Sequence, residues 1–201
     1  MKILAVAHQK GGVGKTTLAI NIACCYQKGG LNVAMLDTDL QGSLSGIAND
    51  LEGISMIPAE DISKIKSMNY DILIIDTPPY LSDILTDIFM LSDFVLVPTK
   101  VSFADIMAIK GTINLLQLVT KSKPHMNFGI VLNMVKPRTA LNTEIKDFLE
   151  QYNVTILNST ISERVSYIRS FVVSGVFNTD DDRAKEEISM LADEILTKLG
   201  V

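Results

Sequence analysis

The chain has 201 residues, 47% of them hydrophobic and 20% charged, with a net charge of −5 at neutral pH. That length and balance predict one domain spanning 1–201 with a packed core, and exclude a disordered tail protein. The acidic balance excludes a bulk polyanion binder, so any DNA contact needs a local basic patch. No apolar run reaches the ~18 residues of a membrane span, and no signal-like leader precedes the first strand, so a cytoplasmic protein is expected.

In chain order, the first strand is predicted over 3–7. Lys10 to Thr17 follow it as KGGVGKTT, and a helix over 16–28 follows the loop. Glycines 11, 12 and 14 let the backbone close around an anion. The N–H groups from Gly11 through Val13 and Gly14 to Thr17 then point at phosphate oxygens. Lys15 supplies a point charge to the terminal phosphates, and the Thr16 hydroxyl is placed to ligate Mg²⁺. Strand, glycine loop, Lys-Thr and helix in that order predict a nucleoside triphosphate site. Cys24 and Cys25 are adjacent inside the first helix and match no metal or redox spacing, so they read as core thiols.

A second strand over 33–36 runs into Asp37-Thr38-Asp39. Carboxylates at the carboxyl end of a parallel strand sit where open α/β sheets bind ligands. Strands over 54–57 and 72–75 follow. The latter is four apolar residues ending in Asp76-Thr77-Pro78-Pro79, a carboxylate placed to meet Mg²⁺ through water. Further on come a helix (82–91), a strand (94–97), a helix (103–119) and a strand (128–132) that ends in Asn133. A helix over 141–151 and a strand over 154–157 follow. The alternation predicts an α/β fold: a mostly parallel twisted sheet with helices on both faces. A last helix over 184–199 is amphipathic through Ile188, Leu191, Ala192, Ile195, Leu196 and Leu199. Its polar face carries Glu186, Glu187, Asp193 and Glu194. That acidity suits docking on the chain's own sheet better than lying on anionic lipid, so a membrane partner is not expected.

The loop departs from the common spacing: Gln9 stands where a glycine is usual, and Lys10 opens the segment. With Asp37–Gly42 and Asp76–Pro79, this resembles the deviant Walker A P-loop NTPases, the group of ParA partition proteins and MinD. The resemblance is to the short form, without an N-terminal DNA-binding domain. It implies an ATPase whose cofactors are ATP and Mg²⁺. It implies that Lys10 reaches across a homodimer interface to the other subunit's nucleotide. Asp37 lies near Mg²⁺ with Thr16 and Asp76, and Asp39 orients the attacking water. Asn133 reads the adenine edge, for which an amide suits as donor and acceptor, and no Asn-Lys-x-Asp guanine motif follows it. Leu40 and Ser162 stand where the family often has proline. The resemblance further implies non-specific DNA binding, with Arg164 and Arg169 on the DNA backbone. A ParB-like centromere-binding partner and a nucleoid-associated location in the cytoplasm complete it. Lys121, Lys123, Lys136 and Arg138 read as surface charge. A MinD-like membrane cycle and positioning of another cargo, such as a microcompartment, stay open as alternatives.

Overall fold

The computed structural model describes residues 1–38, 51–80, 83–136 and 141–201. The apolar runs become seven strands: β1 (Lys2–Val6), β2 (Val33–Asp37), β3 (Ile54–Ile57), β4 (Ile72–Asp76), β5 (Phe94–Lys100), β6 (Asn127–Val135) and β7 (Ile156–Ser162). All pairs are parallel and the order is β3-β2-β4-β1-β5-β6-β7. The helices are α1 (Lys15–Lys28), α2 (Asp83–Leu91), α3 (Phe103–Ser122), α4 (Leu141–Glu150), α5 (Val165–Arg169) and α6 (Asp182–Leu199).

Strand alternation assigns the two layers. Leu4 and Val6 of β1 pack with α1 and α6 residues such as Leu18, Ile22, Ile188 and Leu191. Ile3 and Ala5 pack on the opposite face with Ile88, Ile109, Ile113 and Leu149 of α2, α3 and α4. A parallel sheet covered on both faces has apolar residues at successive positions, which is why Ile72–Ile75 is an unbroken run. Among the described residues no helix is long and apolar enough to cross a membrane.

The end of the sheet differs from the sequence-based expectation. The strand predicted over 154–157 is Ile156–Ser162, because Asn158, Ser159 and Thr160 interrupt the apolar pattern. β7 is the edge strand, and the carboxylates of α6 serve it. Glu194 accepts from the Asn158 and Ser159 N–H groups at 2.8 and 2.9 Å. Glu187 accepts from the Ser162 N–H at 3.0 Å and its hydroxyl at 2.7 Å. Two acids seven residues apart on α6 therefore satisfy polar groups of an edge that would otherwise template further pairing. Glu187 and Glu194 are thus sheet ligands, where the pattern alone placed them on a solvent face. Cys24 is buried and Cys25 half-buried, both free. Burial pushes the Cys24 thiol up to about 11, which makes it inert at neutral pH, as expected for a core thiol.

Candidate nucleotide site at the phosphate loop

The loop leaves the sheet at β1 and enters α1 at Lys15. Gly12 and Gly14 have φ of 71° and 93°, the left-handed region that glycine tolerates. Gly14 is the N-cap of α1 and offers no side-chain cap, so the first-turn N–H groups are left to an anion. A Cβ at Gly14 would lie 2.3 Å from Asn133 Nδ2. Gly14→Ala is therefore expected to strain the backbone and expel the Asn133 amide from under the loop. The expected cost is ~2–3 kcal/mol of stability together with loss of nucleotide binding, read by urea titration and calorimetry.

The Lys15 side chain is largely buried, and its Nζ reaches the Lys10 carbonyl at 3.4 Å. Thr16 Oγ1 donates to Asp76 Oδ2 at 2.5 Å. Asp76 ends β4 and is 2% exposed, and Asp37 lies level with it on β2. The Asp76 carbonyl accepts from Thr38 N and Oγ1, and Thr77 Oγ1 donates to the Val6 carbonyl, which pins these strand ends together. The donor set is thus a hydroxyl and two carboxylates, all hard oxygens. Among the described residues there is no group of three or more His, Cys, Asp or Glu that could hold a metal alone. That combination fits Mg²⁺, which keeps several waters and takes the rest of its shell from phosphates. When bound, Mg²⁺ neutralises phosphate charge. Thr16 and Asp76 would hold it, with Asp37 beside them.

Lys10 does not lie in its own loop's cradle. Its ammonium pairs with Asp105 Oδ1 on α3 at 2.6 Å, and its side chain stays 41% exposed. Ser102 caps α3, receiving the Asp105 N–H, and its hydroxyl donates back to the Asp105 carboxylate. Burial pushes that carboxyl up, but the Lys10 and Ser102 contacts outweigh it and hold it below the usual range. Gln9 explains the missing glycine. Its N–H reaches Thr112 Oγ1 at 3.3 Å and its side-chain amide donates to the Ala108 carbonyl, so the loop's start is tied to α3.

Asn133 is buried at the end of β6. Its amide donates to the Val13 carbonyl at 2.8 Å and its oxygen accepts from Met134 N at 2.9 Å. One hydrogen and one lone pair remain for a ligand. Met134 has φ of 53°, and beside it lies a cavity of about 110 Å³ lined by Thr17, Leu18, Asn133, Ile161 and Tyr167. The cavity adjoins the first turn of α1 through Thr17 and Leu18.

Arg164 and Arg169 are not equivalent. Arg164 Nε and Nη2 both donate to Glu187 Oε1, at 3.2 and 2.8 Å, and Nη1 lies 3.6 Å from Asp181. Arg164 therefore fastens α5 to α6. Arg169 is exposed and forms no ion pair among the described residues. Lys123 caps the end of α2 through the carbonyls of Leu91 and Ser92, and Lys136 lies 3.7 Å from Glu163. Asp39, Leu40, Gln41, Gly42 and Arg138 lie outside the described residues.

Sequence reasoning missed three residues here. Lys100, ending β5, comes within 3.9 Å of where a Gly12 Cβ would stand. Asp105 has only its place three residues after Ser102 as a signal. His8 is fully buried next to the loop. Burial, then Lys15 and Lys10 against Asp105, push its pKa down to about 4. The unfolded chain therefore binds more protons between pH 6.5 and 4. Stability is full above pH 6.5 and falls as pH drops to 4, by ~3 kcal/mol from this group. Urea midpoints at pH 7 and 4.5 check this, and His8→Asn should flatten the difference.

Residues 4–172 match the CobQ/CobB/MinD/ParA nucleotide binding domain. The chain is 30% identical to maintenance of carboxysome distribution protein A of Halothiobacillus neapolitanus, over 96% of this chain and 95% of that protein. It is 26% identical to the sporulation initiation inhibitor protein Soj of Bacillus subtilis, over 75% and 79% of the two chains. The fold matches that of a plasmid partition protein of Borrelia burgdorferi bound to AMPPNP, with TM-score 0.74, 21% identity, and 98% and 99% of the chains covered. The glycine loop, the paired Thr16 and Asp76 and the matched domain together place this chain in the ParA/MinD family of Mg·ATP-dependent ATPases.

Proposed function

We propose that this ATPase dimerises on Mg·ATP with the nucleotides between the subunits, and in that state binds DNA without sequence preference. A ParB-like partner bound to a centromere site then stimulates hydrolysis and releases it, which partitions the DNA. The protein is cytoplasmic and nucleoid-associated in this reading. The observation that carries it is Lys10. Its partly exposed side chain rests on Asp105 and not on its own phosphate cradle, so it is available to a second subunit. Lys15 binds the phosphates in cis, Asp39 orients the attacking water, and Asn133 favours adenine over guanine. Arg169 carries the DNA contact, since Arg164 is occupied by Glu187. Phosphate contacts position without reading sequence, and they weaken steeply with salt.

Lys10→Ala tests the reading. It should bind ATP like the parent and fail to dimerise with a slowly hydrolysed analogue, as sized by light scattering. A variant that dimerises normally would reduce Lys10 to a surface charge. A second reading keeps the cycle and changes the cargo to a protein microcompartment. The relative named for carboxysome distribution favours it, because the alignment covers nearly all of both chains. Affinity capture with the ATP-bound protein separates the two: a centromere-binding protein supports the first, a microcompartment-associated adaptor the second.

A further inference from the structure

His8 has no part in the chemistry above, yet it is fully buried beside the loop. The backbone before it belongs to the sheet, since the Ala7 N–H donates to the Leu96 carbonyl at 3.0 Å. The loop begins at His8. Its Nδ1 accepts the Lys10 N–H at 2.9 Å. A ring nitrogen that accepts carries no proton, so the neutral imidazole is protonated on Nε2. Nε2 has no hydrogen-bond partner among the described residues. A buried donor left unpaired is costly, so a ring serving only to fill space would be better replaced by an apolar side chain.

Lys10 is held at three points: its N–H by His8, its carbonyl by Lys15 and its ammonium by Asp105. Two of these are provisional. Lys15 has a stronger ligand in a bound phosphate, and Lys10 must leave Asp105 to serve another subunit. Neither change involves the His8 bond, which joins its ring to the Lys10 N–H. We propose that His8 is the positioning residue of the loop: its Nδ1 fixes the Lys10 peptide and so sets where the Lys10 ammonium is presented to the partner's nucleotide. This rests on the trans role of Lys10 proposed above. Burial and the neighbouring Lys15 and Lys10 charges keep the ring neutral, so Nδ1 stays an acceptor near neutral pH.

Side-chain chemistry separates positioning from filling. The Oδ1 of Asn places an acceptor where Nδ1 stands, the Oε1 of Gln places one nearer Nε2, and Leu fills space with neither. His8→Asn, His8→Gln and His8→Leu are compared in the full chain with a slowly hydrolysed ATP analogue. Calorimetry reads nucleotide affinity, light scattering reads dimerisation and thermal melts gate for folding. All three should bind nucleotide within about threefold of the parent, because Lys15 and the loop N–H groups remain. His8→Asn should dimerise like the parent, while Gln and Leu should weaken dimerisation by ~10-fold or more, the worth of one positioned hydrogen bond. If Leu does not fold, the Asn and Gln pair carries the comparison. A His8→Leu or His8→Gln protein that dimerises normally overturns the proposal, as does a folded His8→Asn protein that does not. Lys10→Ala is run alongside. If it dimerises, the trans-lysine reading falls and this proposal with it. If it fails while His8→Leu succeeds, only the His8 proposal falls.

Discussion

Lys15→Ala is expected to weaken Mg·ATP binding by at least ~100-fold. Lys15 as a residue is only 7% exposed, so little solvent screens its charge from a phosphate placed on the loop. At an effective dielectric near 20, a unit charge pair at ~4 Å is worth about 4 kcal/mol, more than the ~2.7 kcal/mol that a hundredfold requires. Alanine also leaves the Lys10 carbonyl without the Lys15 ammonium that now donates to it. Calorimetry with a slowly hydrolysed analogue measures the loss, and affinity within threefold of the parent would remove Lys15 from the phosphate site. A second readout is independent of nucleotide. Lys15 is one of the charges that hold the His8 pKa down, so the His8 titration followed by NMR should move up towards its ordinary range.

Glu187→Ala is expected to cost ~3 kcal/mol of stability, the scale on which breaking a mostly buried pair leaves its partner uncompensated. One carboxylate receives the Ser162 N–H and hydroxyl, two Arg164 nitrogens and the Tyr167 hydroxyl at 2.9 Å. The side chains of Arg164 and Glu187 are only 22% and 17% exposed, so water replaces the lost partner poorly. For a chain of this size the melting temperature should fall by ~6–12 °C. Glu186→Ala, one residue away and exposed, should change stability by less than ~0.5 kcal/mol. The Glu187 carboxyl is pushed up by burial but held below the usual range by Arg164, Ser162 and Tyr167. Its stabilisation is therefore present above the ordinary carboxylate range and lost as pH falls through the lowered folded value. Equal melting temperatures for the two variants would remove the latch between α6 and β7.

Central strands were readable because a strand covered on both faces must be apolar throughout, as in Ile72–Ile75. The edge strand was not. β7 has one neighbour, and its polar Asn158, Ser159 and Thr160 resemble a loop until Glu187 and Glu194 arrive from α6. The phosphate loop and Asp76 were readable because backbone chemistry demands glycine, Lys-Thr and a strand-end carboxylate at fixed spacing. Asp105 and His8 were not, since each acts through a contact that depends on tertiary placement: α3 docked against the loop, and a turn that folds Lys10 N–H back onto an imidazole. Arg164 shows the converse. The resemblance put it beside Arg169 on a DNA backbone, and no sequence signal announced that its guanidinium faces Glu187 and Asp181.

ATP-dependent dimerisation coupled to DNA binding is tested most directly by sedimentation velocity of the full chain with an arbitrary fluorescent duplex. The runs contain Mg²⁺ with either ADP or a slowly hydrolysed ATP analogue. With ADP the protein should sediment as a monomer apart from the DNA, since a subunit of net charge −5 is repelled by a polyanion. With the ATP analogue it should sediment as a dimer bound to the duplex, with affinity falling steeply as salt rises, and Lys10→Ala should show neither change. A monomer in both nucleotides, or equal DNA binding with ADP and the analogue, would contradict it.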